Sequence, residues 1–192
     1  MEKIVGSLLF IIIAMSVFIT GCVDDTLEEG SPFISEGTMA LYISDKPADI
    51  EDFDLLNVSF NKVRIFKENE NETDENWTEM SINETVDLTM LVGPNSTRIV
   101  NITLEAGNYT KLELYVNHTL GIVDGNETDV FVPSGKLMIT KKFTISANDT
   151  LRFVFDINVV KRGNNNKYNL LPVISESGVV GRDLDEEDFV EI

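Results

Sequence analysis

From Leu151 to Val159 the chain alternates, with Leu151, Phe153, Phe155, Ile157 and Val159 on one side and Arg152, Val154, Asp156 and Asn158 on the other. Successive side chains of a strand point to opposite faces, so this pattern specifies a strand with one face in a core. A period of two recurs from Thr38 onward, and no stretch carries a convincing apolar stripe at helical spacing. It places further strands at Met39 to Ser44, Leu55 to Phe66, Thr78 to Ile82, Val86 to Leu91, Arg98 to Leu104, Tyr109 to Thr119, Asp129 to Val132, Lys136 to Ile145 and Tyr168 to Ser175. Turn-forming clusters such as Asp45-Lys46-Pro47, Gly93-Pro94-Asn95, Ala106-Gly107-Asn108, Asp124-Gly125-Asn126 and Pro133-Ser134-Gly135 separate them. The apolar phase slips between Phe60 and Val63, which predicts a β-bulge near Asn61-Lys62. Many short, evenly spaced strands imply an all-β fold, an antiparallel sandwich over residues 38–176.

Ahead of this domain, Lys3 precedes an apolar run from Ile4 to Ile19, and the run ends in Ile19-Thr20-Gly21-Cys22. That layout fits a signal peptide over residues 1–21. The last four residues resemble a lipobox, with small residues admitting a peptidase and the Cys22 thiol accepting lipid. Cys22 is the only cysteine of the 192 residues. The competing reading is an uncleaved signal anchor, since the run just reaches the length of a spanning helix. Both readings put the protein at the outer face of the cytoplasmic membrane, with the membrane itself as its first partner. Residues 23–37 are acidic and poor in apolar side chains, as in a flexible spacer. Residues 177–192 contain the run Asp183-Leu184-Asp185-Glu186-Glu187-Asp188, which reads as a solvated, disordered acidic tail.

The chain has 33 acidic and 15 basic side chains, a formal net charge of −18. Nucleic acid is excluded as an expected partner, because it needs a cationic face. One cysteine and one histidine allow neither an intramolecular disulfide nor a Cys/His zinc site.

Asparagine in the acceptor pattern for N-glycosylation occurs at Asn57, Asn71, Asn76, Asn83, Asn95, Asn101, Asn108, Asn117, Asn126 and Asn148. Composition alone would give about 2 or 3 such sites, so ten is an excess. Asn57 and Asn101 stand opposite the apolar residues of their strands, on a face that would accept a glycan.

The residues also resemble a known family. Ile43-Ser44-Asp45-Lys46-Pro47, Leu56-Asn57-Val58-Ser59-Phe60 with Val63, the single Trp77, and Val86-Asp87-Leu88 follow in its order. The most specific piece is Leu104-Glu105-Ala106-Gly107-Asn108-Tyr109, which precedes Val132-Pro133-Ser134-Gly135, Phe155-Asp156-Ile157 and Tyr168-Asn169-Leu170-Leu171-Pro172-Val173-Ile174. Together, over residues 37–174, they are similar to a domain of unknown function, number 4382, of archaeal and bacterial lipoproteins. The resemblance implies an immunoglobulin-like or transthyretin-like β-sandwich and carries no catalytic residues. Tyr109, two residues after Gly107, has the placement of a tyrosine corner.

Chemistry is sparse. His118 sits inside a sequon with no second histidine or cysteine to join it, so a nucleophile–histidine triad is not expected. Glu113 and Asp156 are the carboxylates a sandwich-fold glycosidase could pair, but one Trp and four Tyr are few for gripping sugars. Asp49, Glu51, Asp52 and Asp54 crowd one loop with hard oxygens that would suit calcium, without EF-hand spacing. Asp45 and Asp156 interrupt apolar contexts, and are expected to cap the Pro47 turn and to pair with Arg152 or face water. The function expected is a non-enzymatic surface component working in the envelope or in adhesion. The alternative is a carbohydrate- or small-ligand-binding module, with envelope proteins or polysaccharide as partners.

Overall fold

The computed structural model describes residues 35–45, 49–69, 76–163 and 167–192. All of them belong to one compact unit, Ile34–Ile192. The N-terminal apolar run, Cys22, the spacer up to residue 34 and Asn71 lie outside the described residues.

Among the described residues there is no α-helix, only strands and short 3-10 turns. The strands are β1 (Glu36–Asp45), β2 (Leu55–Lys67), β3 (Asn76–Asp87), β4 (Asn95–Glu105), β5 (Gly107–Val123) and β6 (Asn126–Phe131). They continue with β7 (Lys136–Ile145), β8 (Thr150–Lys161), β9 (Lys167–Pro172), β10 (Gly178–Val179) and β11 (Val190–Glu191). Their order is β11-β4-β1-β8-β9-β6-β5-β2-β3, with β7 added to β5 and β10 to β8. Strand β6 joins two layers: β5 pairs with it antiparallel, and β9 pairs with it parallel. Between the layers lies one core, built from Met39, Leu41 and Ile43 of β1, Phe60, Val63 and Ile65 of β2, Leu112 and Leu114 of β5, and Phe153, Phe155 and Ile157 of β8.

The all-β sandwich expected from the alternation is thus present, but its sheet is mixed. β1 runs parallel to β8, β6 to β9 and β4 to β11. Parallel neighbours need long crossovers, and here the segments between β1 and β8 supply one by building the opposite layer. A strand set between such neighbours tends to be covered on both faces. Met39 to Asp45 of β1 and Phe153 to Ile157 of β8 are indeed buried without interruption. One face of these strands meets the core; β10 pairs along the edge of β8, and residues 182–189 border Ser44, Val154 and Asp156 on the other face.

That second cover corrects the expectation of a disordered tail. The run Asp183 to Asp188 is solvent-facing, but the segment around it is fixed. Val179 donates its N–H to Asp183 Oδ2 at 2.9 Å, and Phe189 packs edge-on against Tyr42 with ring centroids 5.4 Å apart. Tyr42 donates its hydroxyl to Glu191 at 3.1 Å, while Ser96 Oγ donates to the Val190 carbonyl at 3.0 Å. Gly178, at φ +152, comes so close that a Cβ there would lie 2.6 Å from Asp183. Val179, which is buried, and Leu184 and Phe189, which are half-buried, seat an otherwise acidic segment.

Two strand boundaries also shift. The stretch read as a strand at Val86 to Leu91 closes β3 at Asp87 and then turns, because Asp87 Oδ1 accepts from Thr89 N at 3.1 Å and Thr89 Oγ1 at 2.7 Å. Similarly β9 stops at Pro172, and Ile174–Glu176 is a 3-10 turn. The bulge in β2 falls where the phase slip puts it, between Phe60 and Lys62.

Candidate functional site

At the C-terminal end of β1 an open cleft of about 720 Å³ is bounded by the ends of β1 and β8, the Gly93-Pro94 turn and the C-terminal segment. The parallel pairing sets Ser44 beside Asp156 on the cleft side and Asp45 beside Ile157, one residue further along each strand. Asp156 is buried; its Oδ1 accepts from Ser44 Oγ at 2.6 Å, and its backbone N–H donates to Ser177 Oγ at 2.9 Å. Ser177 in turn donates to the Val173 carbonyl at 2.7 Å, tying the C-terminal segment to the floor.

Asp45 is 1% exposed, and neither carboxylate oxygen has a hydrogen-bond partner among the described residues. Desolvation first, and the nearby Asp156 charge second, push its carboxyl up to about 8. Asp45 is therefore largely protonated at neutral pH. Asp185, Glu187 and Asp188 stand exposed at the rim, and Arg182, the one cation lining the cleft among the described residues, is bound to Asp183 at 2.7 Å. The expected pairing of Asp156 with Arg152 is replaced, since Arg152 reaches Glu186 at 2.7 Å. The Pro47 turn that Asp45 was expected to cap lies outside the described residues.

The outer face of β2, β3, β5 and β7 has the opposite character. Arg64 lies over both Trp77 and Tyr115, at 5.3 Å from each ring centre, and Lys62 lies 4.2 Å from the Tyr115 centre. Lys111 stands over Phe66 at 3.6 Å. Within this face Glu113 is 3% exposed, and accepts from Lys136 Nζ at 2.8 Å and from the Tyr115 hydroxyl at 2.9 Å. Burial alone would raise its carboxyl, but these hydrogen bonds with the Lys136 and Lys111 charges outweigh that and hold it below the usual range. Glu113 and Asp156 lie on different layers, each held locally, so the structure does not bring them together as an acid pair.

Three of the four carboxylates proposed for calcium are engaged in hydrogen bonds within the fold. Asp49 accepts from the Lys161 N–H at 2.6 Å, and Asp54 from the Gly125 N–H at 2.9 Å. Asp52 accepts from Tyr168 at 2.7 Å and Lys161 at 3.1 Å, which together lower its carboxyl pKa. Glu51 is exposed. Among the described residues no group of three or more His, Cys, Asp or Glu is placed to hold a metal ion. Closeness in sequence misled here because a 3-10 turn at Asp49–Asp52 sends successive carboxylates to different neighbours.

The sequon asparagines fall on both layers: Asn57 in β2, Asn76 and Asn83 in β3, Asn95 and Asn101 in β4, Asn108 and Asn117 in β5, Asn126 in β6, and Asn148 in the β7–β8 turn. Seven of these nine are exposed; Asn57 and Asn95 are half-buried. His118 is exposed beside Asn117. Tyr109 makes the corner predicted for it, donating to the Glu105 carbonyl at 2.8 Å and stacking on Phe143 with ring centroids 5.5 Å apart.

Sequence reasoning singled out Asp45 and Asp156 as anomalies without seeing that the strands carrying them are parallel neighbours, with Ser44 paired to Asp156.

No curated protein and no solved structure matches the chain. A family model does, that of a domain of unknown function, DUF4382, over residues 36–172. These are the residues of β1 to β9, the sandwich without its C-terminal cover, and the chain belongs to this family.

Proposed function

We propose that this chain is a non-enzymatic, N-glycosylated surface protein working as an envelope or adhesion component. It is held at the outer face of the cytoplasmic membrane by lipid on Cys22 or by an uncleaved N-terminal helix. The observation that supports it best is the placement of the sequons: none of the nine described asparagines is buried, and they occupy strands of both layers. A glycan needs an accessible side-chain amide and room beyond it, and chance placement in a sandwich whose strands alternate would bury some of the nine. Mass spectrometry of the protein from its native membrane tests the reading. Glycopeptides at several sites, Asn101 and Asn117 among them, and a lipid-bearing peptide starting at Cys22 are the expected result. A protein without glycan at any of the ten sites would overturn the surface-glycoprotein reading.

A second reading, an extracellular carbohydrate-binding module, is favoured by the cationic face. Trp77 is 42% exposed beside Arg64, and Lys62, Lys111 and Lys136 concentrate positive charge in a chain of net −18. Such a face suits an acidic polysaccharide, whose sugars stack on the indole while its anions meet the cations. Binding to an array of acidic glycans, lost in Trp77→Ala and in Arg64→Ala, is the expected outcome.

A further inference from the structure

We infer that the outer face of β8 and β9 is the contact surface of a dimer, in which two copies of this chain pack face to face with their strands antiparallel. The face is one that the surface role above leaves unused, and the dimer does not depend on that role.

The strand register builds the face. Phe155, Ile157 and Val159 of β8 and Tyr168 and Leu170 of β9 belong to the core, so Asn158, Val160, Asn169 and Leu171 point outward. Asn158 pairs with Leu171, and Val160 pairs with Asn169, which Phe131 of β6 flanks on its other side. Val160 and Leu171 are 36% exposed, and Phe131 and Ile174, the latter just past β9, are 54% exposed. Apolar side chains scattered singly over a surface are ordinary, but four gathered on adjoining elements mark an interaction surface. None of the described sequon asparagines lies on β8 or β9, so a copy seated there would meet no glycan rooted beneath it.

Charge selects the occupant. The row next to the apolar residues at one end is Arg162, Lys167 and Asp129, two cations to one acid, with Glu127 a row further out. Lys167 pairs with Asp129 at 3.8 Å, and the Arg162 guanidinium lies 6.0 Å from the Phe131 ring centre. At the other end, the Ile174–Glu176 turn and the acidic segment from Asp183 to Asp188 border the same face beside Val154 and Asp156. A two-fold axis lying between two copies and crossing their strands turns one end onto the other. It sets Arg162 and Lys167 of each copy towards the partner's acidic end, with the apolar residues meeting in the middle. The contact is isologous and closes on itself. Elsewhere the acid excess of a chain of net −18 drives copies apart, so the meeting of unlike ends also fixes their relative direction. A lipid surface fits less well, because the acidic segment beside the patch repels anionic headgroups.

Sedimentation equilibrium of the full-length chain in density-matched detergent micelles tests this. The expected result is a monomer–dimer equilibrium over loadings of about 1–100 µM, as suits a contact of modest area. Leu171→Arg should weaken the dimer about tenfold or more, and Arg162→Glu about threefold or more. Both positions are exposed, and circular dichroism of each variant checks that the fold is kept. Met138→Arg, which charges an exposed apolar position of the opposite layer, should leave the dimer unchanged. A monomer at every loading overturns the proposal. Wild-type dimerisation in Leu171→Arg with the fold intact also overturns it and assigns the dimer to another part of the chain. Wild-type dimerisation in Arg162→Glu overturns the antiparallel arrangement.

Discussion

Glu113 and Asp45 are both carboxylates shut away from solvent, at 3% and 1% exposure, in opposite layers of the sandwich. Glu113 is met by an ammonium and a phenol, and its carboxyl is held below the ordinary range. Asp45 meets neither among the described residues, and burial first and the Asp156 charge second push it up to about 8. Equal burial therefore yields opposite electrostatics, and what separates them is the neighbours each strand register supplies. Glu113 lies opposite Arg64 and Met138 in its sheet, with Lys136 and Lys111 within reach. Asp45 ends β1 opposite Ile157, one residue beyond the Ser44–Asp156 pair, with the C-terminal cover adding more acid than base. A completed buried charge braces a fold, whereas one without its partners costs stability when it ionises.

The largest expected effect comes from removing the incomplete charge. The folded-state pKa of Asp45 lies above its ordinary 3.8, so the folded protein holds a proton that the unfolded chain releases. With respect to this group, stability is greatest below pH 3.8 and falls as pH rises through the folded value near 8. Each pH unit crossed in that window costs up to about 1.4 kcal/mol. Asp45→Asn removes the titration. Thermal denaturation should find the variant close to the native protein at pH 4 and clearly more stable at pH 8. Equal stability at pH 8 would mean that Asp45 is neutralised by a partner in the native state, and the contrast with Glu113 would collapse.

Lys136→Met attacks the completed charge. It strands Glu113 with only the Tyr115 hydroxyl and the more distant Lys111, and should destabilise at pH 7 by about 1–3 kcal/mol. The loss falls below the about 3–5 kcal/mol typical of fully buried pairs because the Lys136 side chain is 31% exposed. The pH dependence has the opposite sense to that of Asp45. A lowered carboxyl contributes stability above its ordinary 4.5 and loses it as pH falls through the folded value. The deficit of Lys136→Met should therefore shrink on acidification, as read from urea midpoints at pH 7 and pH 3.5. A deficit that does not change with pH would assign the loss to packing of the lysine stem.

What could be read in the sequence divides along the same line. Alternation told which residues share a face, and so it located the row from Leu151 to Val159 and the slip beside Lys62, while the spacing from Gly107 located the Tyr109 corner. It could not tell what covers the second face of a strand. Val154 and Asp156 looked solvent-bound, yet both are buried under a segment whose acid content reads as a free tail. The meeting of Ser44 with Asp156, 112 residues apart, depends on a parallel pairing that no local pattern encodes. The calcium loop failed for the converse reason: Asp49, Asp52 and Asp54 are close in sequence, and their hydrogen bonds lead to Lys161, Tyr168 and Gly125.

Tyr109 supplies a third buried polar group, neutral throughout. Burial first and the Glu105 charge second push its hydroxyl up to about 12, so it stays a donor across the working range. Tyr109→Phe keeps the stack on Phe143 and deletes only the hydrogen bond to the Glu105 carbonyl. The expected loss is about 0.5–1.5 kcal/mol, with no pH dependence between 4 and 9 relative to the native protein. A slope with pH would show that the corner is coupled to one of the buried carboxylates.

The smallest effect tests whether burial is needed for any of these differences. Lys142 pairs with Glu68 at 2.5 Å, as close as any ion pair described for this protein, but its side chain is 79% exposed. Water and salt screen such a pair, and ordering two long side chains offsets most of its attraction. Lys142→Ala should change stability by no more than about 0.5 kcal/mol, an effect that fades further in high salt. The Arg182 guanidinium donates to the Lys142 carbonyl at 2.8 Å, a bond that alanine retains because it uses the backbone. Chemical denaturation at low and high salt reads the difference directly. A loss comparable to that of Lys136→Met would show that short distance alone gives a carboxylate its value, and burial would no longer explain why Glu113 and Asp45 differ from the rest of this acidic surface.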